Sequence, residues 1–506
     1  MTSRPSNDGP NIVLLMVDQW RADCFGAMGH PVVETPNLDM LFGRGTIFDR
    51  AYAAVPSCIA ARASLLTGLN HRHHGRVGYH PNISWDYPFT IASVLAEAGY
   101  QTHAVGKMHV WPARRRMGFD DVDLHDGYTI DERTKLDNFD QVDDYRTWLR
   151  LRSHVEADII DPGLGCNGYD VRPWPMDDRL HPNAWAVTRA MEFLRRRDTT
   201  APFLLKVSFH RPHPPLDPPQ WALDRYADVT LPPLVEGDWN DRSVPPRPGY
   251  FLDSPVPTNE AAIDRARRAY YAQLTAIDHE LNRLIQALTE RRLLHNTAFV
   301  FVGDHGEMLY DHWRVAKNLP YEASARVPMM VRLPGDPHPV ARSSAVAELM
   351  DVLPTFCDIA GIETPAGADG KSLVPIVRGE ESSLRDTLHG EHFNWASNAW
   401  ASDDNQWVTD GRFKYVWFPR SGREQLFDLD TDPEERTDIA RDDEANRTRL
   451  RAVLTAALEG REEGFVEDGE LVHGRPGRAT LEEAGIMTED QAKKQRDMIA
   501  WLSSAS

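Results

Sequence analysis

Cys58 lies in the segment Pro56-Ser57-Cys58-Ile59-Ala60-Ala61-Arg62-Ala63-Ser64-Leu65-Leu66-Thr67-Gly68. The segment reads as a helix start, because Pro56 and Ser57 precede good helix formers and Gly68 closes the run. Cys58 then stands at the amino end, where free N–H groups and the helix dipole favour an anion, and Arg62 follows one turn on along the same face. A nucleophile so placed is suited to meet a charged ester. Four more groups of reactive side chains each follow a compact apolar run. Asp18-Gln19 follows Ile12 to Val17, and Gly106-Lys107-Met108-His109 follows Thr102 to Val105. His210-Arg211-Pro212-His213 follows Phe203 to Phe209, and Gly303-Asp304-His305-Gly306 follows Ala298 to Val302.

Each of the four runs predicts a short buried strand. Helical patterns lie between them. The clearest takes in Tyr270, Leu274, Ile277, Leu281, Leu284, Ile285 and Leu288, and a shorter one spans Phe89 to Ala98. Alternating strands and helices predict an α/β fold, a large and mostly parallel sheet sandwiched by helices. Ligands of such sheets sit beyond the carboxyl ends of the strands, so the four polar groups are expected on one rim, bringing Asp18 and Asp304 together. From about Glu380 the pattern changes. Strand-like pieces Gln406 to Thr409 and Phe413 to Phe418, and the turn-rich run from Leu426 to Pro433, predict a smaller C-terminal antiparallel sheet. The expected division is 1–380 as a catalytic α/β domain, 381–462 as an α+β subdomain, and 463–506 as a charged arm suited to homo-oligomerisation.

The chain has 506 residues, with 56 Lys and Arg against 76 Asp and Glu, a formal charge of −20. That balance repels phosphate backbones and anionic lipid, so neither nucleic acid nor membrane is an expected partner. Ile12 to Val17 is far shorter than the ~18 residues of a membrane span. Four cysteines (Cys24, Cys58, Cys166, Cys357) without a CxxC pair form neither a disulfide framework nor a zinc site. With no export signal visible, the expected location is cytoplasmic.

The run from Cys58 through Arg62 to Leu66-Thr67-Gly68 resembles the signature of type I sulfatases of the alkaline phosphatase superfamily, in which the cysteine is oxidised to formylglycine. The resemblance extends over Asn11 to Arg21, Thr35 to Asp39, Gly99 to His109, Pro212-His213-Pro214, Asp304 to Glu307, Lys317 with Tyr321-Glu322, and Leu426 to Glu434. The order and spacing of these motifs carry it. It implies an alkaline phosphatase-like fold and one divalent cation surrounded by Asp18, Gln19, modified Cys58, Asp304 and His305. Oxygen donors suit calcium, magnesium or manganese. Gln19 and His305 stand where the usual pattern has an acid and an amide, which weakens the case for calcium and strengthens that for manganese.

The mechanism implied is attack on sulfur by one hydroxyl of hydrated formylglycine, after which the second hydroxyl expels sulfate. By resemblance, Arg62 holds the diol, Lys107 binds sulfate oxygens, and His109 assists collapse of the sulfated intermediate. His213 and Lys317 supply the proton to, or stabilise, the departing alkoxide. The expected substrate is an aryl or small alkyl sulfate. Ala60 replaces the Pro common two residues after the cysteine, which bears on the maturation enzyme that converts Cys58. The rival reading is a phosphonate monoester or phosphodiester hydrolase of the same superfamily, a branch that the Asp18-Gln19 and Asp304-His305 pairs resemble. Lys107 and His109, where that branch carries uncharged hydroxyl residues, favour the sulfatase. Among other residues, His71, His73 and His74 read as a polar loop and Arg114 to Arg116 as a solvated run. Glu307 and Asp311 are expected to fix the loop after Asp304, and Trp20, Trp85, Trp111 and Trp395 to line the pocket or fill the core.

Overall fold

The computed structural model describes residues 9–81, 83–127, 142–243, 246–248, 255–335, 339–393 and 404–475. Eight strands form the main sheet: β1 Asn11–Asp18, β2 Thr46–Tyr52, β3 Gln101–Gly106, β4 Asp121–Leu124, β5 Phe203–Pro212, β6 Thr297–Gly303, β7 Met329–Arg332 and β8 Arg342–Glu348. Their order is β8-β2-β7-β6-β1-β5-β3-β4. The four strands expected from the apolar runs are the contiguous centre of this sheet, β6-β1-β5-β3, and all run parallel. Only β7 runs antiparallel to its neighbours.

Both faces of the sheet are covered, which is why its central strands are apolar without interruption. In β1, Val13, Leu15 and Val17 enter one core and Ile12, Leu14 and Met16 the other. The first core is closed by the helices Pro182–Arg196 and Glu260–Glu290, the second by α1 Cys58–Thr67, Ile91–Glu97 and Val352–Ala360. The 31-residue helix Glu260–Glu290 buries the whole predicted stripe from Tyr270 to Leu288. α1 ends at Gly68, whose φ of 67° is the left-handed cap position. Its other end lies where expected, with Cys58 as the first helical residue. Ser57 takes the extended N-cap backbone, yet its hydroxyl makes no capping bond.

A second sheet of four antiparallel strands follows: β9 Leu388–His392, β10 Asn405–Thr409, β11 Phe413–Trp417 and β12 Glu424–Asp428. Its side chains alternate between two cores. Trp407, Val416 and Phe427 face the main domain with Tyr52, Leu319 and Tyr321, while Val408, Tyr415 and Leu426 face the helix Glu444–Leu458. Phe465 closes the second core against Trp417 at 5.5 Å. Residues 476–506, most of the expected oligomerisation arm, lie outside the described residues. No helix among the described residues is long and apolar enough to cross a membrane.

Candidate active site

The parallel register of β1 and β6 sets the first half of the site. Val17 pairs with Gly303, and the Asp304 N–H donates to the Val17 carbonyl oxygen at 3.2 Å, so the next residues, Asp18 and Asp304, emerge side by side. Gln19 then turns through a left-handed φ of 67°, a costly conformation for a side chain of its kind, and its N–H donates to Asp304 Oδ1 at 3.0 Å. Cys58, at the first turn of α1, brings Sγ to 3.2 Å from His305 Nε2 and 3.8 Å from Asp18 Oδ1. His305 Nδ1 lies 2.9 Å from the Gly306 carbonyl oxygen, which fixes the ring and turns Nε2 toward Asp18, 3.5 Å away.

One donor atom from each of Asp18, Cys58, Asp304 and His305 lies within 4.8 Å of the others, all four residues being buried. Gln19 Oε1 is also buried and has no hydrogen-bond partner among the described residues, while its Nε2 donates to Glu307. Two carboxylates, an imidazole, an amide oxygen in want of a partner and a residue-58 donor fit one divalent cation. Burial works against a charged His305, yet Asp304 and Cys58 hold its pKa above the ordinary value. Asp18 is pushed up by burial, but Lys107, His213, Lys317 and His305 hold it well below the usual carboxylate range.

Cations ring this group. Burial and Asp18 push the Cys58 thiol up, but Lys317, Lys107 and His305 bring it below its ordinary value. Lys317 Nζ sits 2.8 Å from Cys58 Sγ, and Lys107 Nζ pairs with Asp18 Oδ2. Arg62 is buried and donates to Asp304 Oδ2 from Nε at 3.0 Å, and to the Lys107 carbonyl oxygen and Ser208 Oγ from Nη1, each at 3.0 Å. Lys206 Nζ reaches the same Lys107 carbonyl oxygen at 2.8 Å. Burial pushes the Lys206 ammonium well below its ordinary pKa. Gly106 makes this crossing possible: a Cβ there would lie 1.9 Å from the Ser208 carbonyl oxygen, and its φ is +89°.

His109 and His213 flank the cluster rather than joining it. The Met108 and His109 N–H groups donate to Asp126 Oδ1 at 2.7 and 2.9 Å, and the His109 ring meets Tyr79 at 5.9 Å between centroids. His213 Nδ1 lies 2.9 Å from the Pro214 carbonyl oxygen and its ring 4.9 Å from that of His210. Burial lowers both imidazoles well below the usual range, helped by Lys107 at His109 and by Lys317 at His213. Both are thereby biased toward the neutral form.

Glu307 does hold the loop after Asp304, accepting from Leu309 N–H at 2.8 Å, Ala316 N–H at 2.7 Å and Tyr169 OH at 3.0 Å. Asp311 accepts from Arg21 at 2.7 Å. His71, His73 and His74 form one short helix rather than a loop, and their rings turn to Glu391, Asp369 and Ser64 respectively. Arg114, Arg115 and Arg116 pair with Asp144, Asp86 and Asp121 at the surface. Trp20 and Trp85 are core, Trp111 packs at the core edge, and Trp395 lies outside the described residues. Lys206, Ser208 and Asp126 were not singled out by sequence reasoning. For Lys206 a signal existed, since it is the one charge inside the run Phe203 to Phe209; for Asp126 none did.

An alkaline phosphatase-like sheet with this rim is the setting of a hydrolase, and comparison with known proteins makes the class specific. The family model Sulfatase matches residues 10–362, and that of the N-sulphoglucosamine sulphohydrolase C-terminal region matches 308–463. The chain belongs to the sulfatase family, sulfuric ester hydrolases of the alkaline phosphatase superfamily. It is 44% identical over 477 residues to an arylsulfatase of Clostridium perfringens, covering 92% of this chain and 98% of that one. It is 31% identical to a choline-sulfatase of Rhizobium meliloti, covering 88% and 86%. Among solved structures, a phosphonate monoester hydrolase of Agrobacterium radiobacter superposes with a TM-score of 0.72 at 26% identity, covering 89% of this chain and 94% of that one.

Proposed function

We propose that this sulfatase hydrolyses an aryl or small alkyl sulfate monoester to the alcohol and inorganic sulfate, with formylglycine derived from Cys58 as the nucleophile. Cys58, Asp18, Gln19, Asp304 and His305 hold one divalent cation, Ca2+ or Mn2+. When bound, the cation supplies Lewis-acid activation of an oxygen nucleophile. Arg62 fixes Asp304 and the Lys107 carbonyl, so that a carboxylate and an ammonium keep their places at the rim. Lys107 binds the sulfate oxygens. Lys317 and His213 supply the proton to, or offset charge on, the departing oxygen, and His109 assists release of sulfate from residue 58.

The observation that carries this reading is the contact of Cys58 Sγ with both His305 and Lys317 inside the four-donor cluster. It supports the reading because residue 58, the four-donor cluster and the Lys317 ammonium lie within one contact of each other. A cytoplasmic location belongs to the same reading, supported by four free, buried cysteines. A maturation enzyme that accepts Ala60 is its required partner.

A second reading, phosphonate monoester hydrolysis, has the Agrobacterium radiobacter structure in its favour. Two measurements decide. The mass of the tryptic peptide Ala51 to Arg62 from natively produced protein is expected to show the aldehyde or its hydrate. The ratio of kcat/KM for 4-nitrophenyl sulfate over an aryl phosphonate is expected to exceed unity; a phosphonate preference of orders of magnitude would transfer the assignment to the second reading.

A further inference from the structure

Lys317 belongs to no strand or helix, yet its ammonium is held at 2.8 Å from Cys58 Sγ. The residues that follow it are gripped by the small antiparallel sheet, one contact after another. Asn405 Nδ2 donates to the Asn318 carbonyl oxygen at 3.1 Å, and Lys414 Nζ to the Pro320 carbonyl oxygen at 2.9 Å. Tyr321 OH donates to Gln425 Oε1 at 2.9 Å, and the Glu322 N–H to Glu435 Oε2 at 2.7 Å. Asn405, Lys414 and Gln425 come from β10, β11 and β12, so three adjacent strands each contribute one grip. On the opposite side the Asn318 N–H donates to the Pro56 carbonyl oxygen at 3.1 Å, two residues before Cys58.

Lys414 is the centre of this cradle. It is fully buried, and besides the Pro320 carbonyl its ammonium meets Glu322 at 2.6 Å and Glu435 at 3.1 Å. A buried cation between two carboxylates costs desolvation that packed apolar side chains would avoid, and its best-attested use is to fix one register among several. Here the register fixed is that of the segment carrying Lys317. We propose that Lys414 is a positioning residue for the reaction, setting the place of Lys317 against residue 58 through the Pro320 carbonyl and Glu322. This rests on the reading of Lys317 as the leaving-group cation.

The test compares wild type, Lys414→Met, Lys317→Ala and the double variant on 4-nitrophenyl sulfate and on phenyl sulfate, whose leaving group is far more basic. Lys414→Met is expected to lower kcat on phenyl sulfate by about tenfold or more while changing KM little, and to lower kcat on 4-nitrophenyl sulfate by less than about threefold. The double variant is expected to be no slower than Lys317→Ala. Additive losses, or equal losses on both substrates where Lys317→Ala is selective, would overturn the proposal. If Lys317→Ala is itself unselective, the leaving-group reading of Lys317 fails, and the cradle is then judged by non-additivity alone. Should Lys414→Met not fold, Asn405→Ala removes the neighbouring grip without stranding a charge and carries the same expectations.

Discussion

Asp18 and Asp304 reach the site from neighbouring strands whose pairing continues to the last residue before each carboxylate. Lys317, which also contacts Cys58, arrives from a loop between Glu307 and Glu322 that depends on borrowed contacts at both ends. The first side is a by-product of sheet register and would survive most changes elsewhere. The second is a separate construction, held by a sheet some hundred residues further along the chain. Two of the residues proposed to hold the cation, Asp18 and Asp304, are thus placed by the central sheet, and Lys317, proposed to face the leaving alcohol, by contacts with the smaller sheet. That division suits a family in which the chemistry is shared and the alcohol varies.

The comparison can be broken most decisively at Cys58, the proposed nucleophile position. Cys58→Ala is expected to reduce turnover of 4-nitrophenyl sulfate by ~10^4 or more while the protein unfolds at nearly the wild-type temperature. Lys317→Ala is expected to cost only ~10^2–10^3 in kcat, because it removes one charge-stabilising group and leaves the cation side intact. Equal losses for the two variants would show that the sides are not separable.

Removing the cation with a chelator sharpens the contrast differently. The binding free energy of the proposed cation would be lost from the folded state, so the melting temperature of wild type is expected to fall by a few degrees, equivalent to roughly 3 kcal/mol at ligand a hundredfold above Kd. Asp304→Asn should show a much smaller chelator effect, and Lys317→Ala the full one. A chelator effect lost in Lys317→Ala would tie the two sides together.

The smallest effect concerns the scaffold under Cys58. Glu348, at the end of β8, accepts from the Ala54 N–H at 3.3 Å and the Met350 N–H at 2.5 Å, and burial pushes its pKa up to about 7. A carboxyl whose pKa is raised on folding contributes stability that is complete below its unfolded value, near 4.5, and lost as pH rises through about 7. Glu348→Gln is therefore expected to flatten the fall in melting temperature between pH 4.5 and 7, a change on the order of 3 kcal/mol or less. An unchanged slope would mean that Glu348 titrates in the folded protein as it does in the unfolded chain.

What could be read in the sequence follows the same division. The central strands announce themselves because both faces are buried, and the polar residue after each apolar run has nowhere to go but the rim. Asp18, Lys107, Asp304 and His305 were visible for that reason, as was Arg62 from helical spacing after Cys58. β2, β7 and β8 were not, because Thr46–Tyr52 and Arg342–Glu348 mix charge with apolar residues toward the sheet edge, and Met329–Arg332 is only four residues long. The grip of Lys414 on Pro320 and of Asp126 on the His109 backbone could not be read at all. Each joins residues far apart in sequence through a main-chain atom, and main-chain atoms leave no trace in residue type. Lys317 was singled out only by resemblance, since a lone lysine in a loop carries no signal of its own.

The depth of Cys58 also sets a clock. Its side chain is only 2% exposed, and two of the groups that close over it, His305 and Lys317, lie 247 and 259 residues further along the chain. At a synthesis rate of ~5–20 residues per second, about 10–50 s pass between the emergence of Cys58 and that of its last neighbours. Any enzyme that modifies this thiol must act in that interval or on a chain held open by other means. With formylglycine at residue 58 as proposed, the fraction of active molecules would be decided by a race between modification and closure, so that slower synthesis or delayed folding should raise specific activity without altering a single residue.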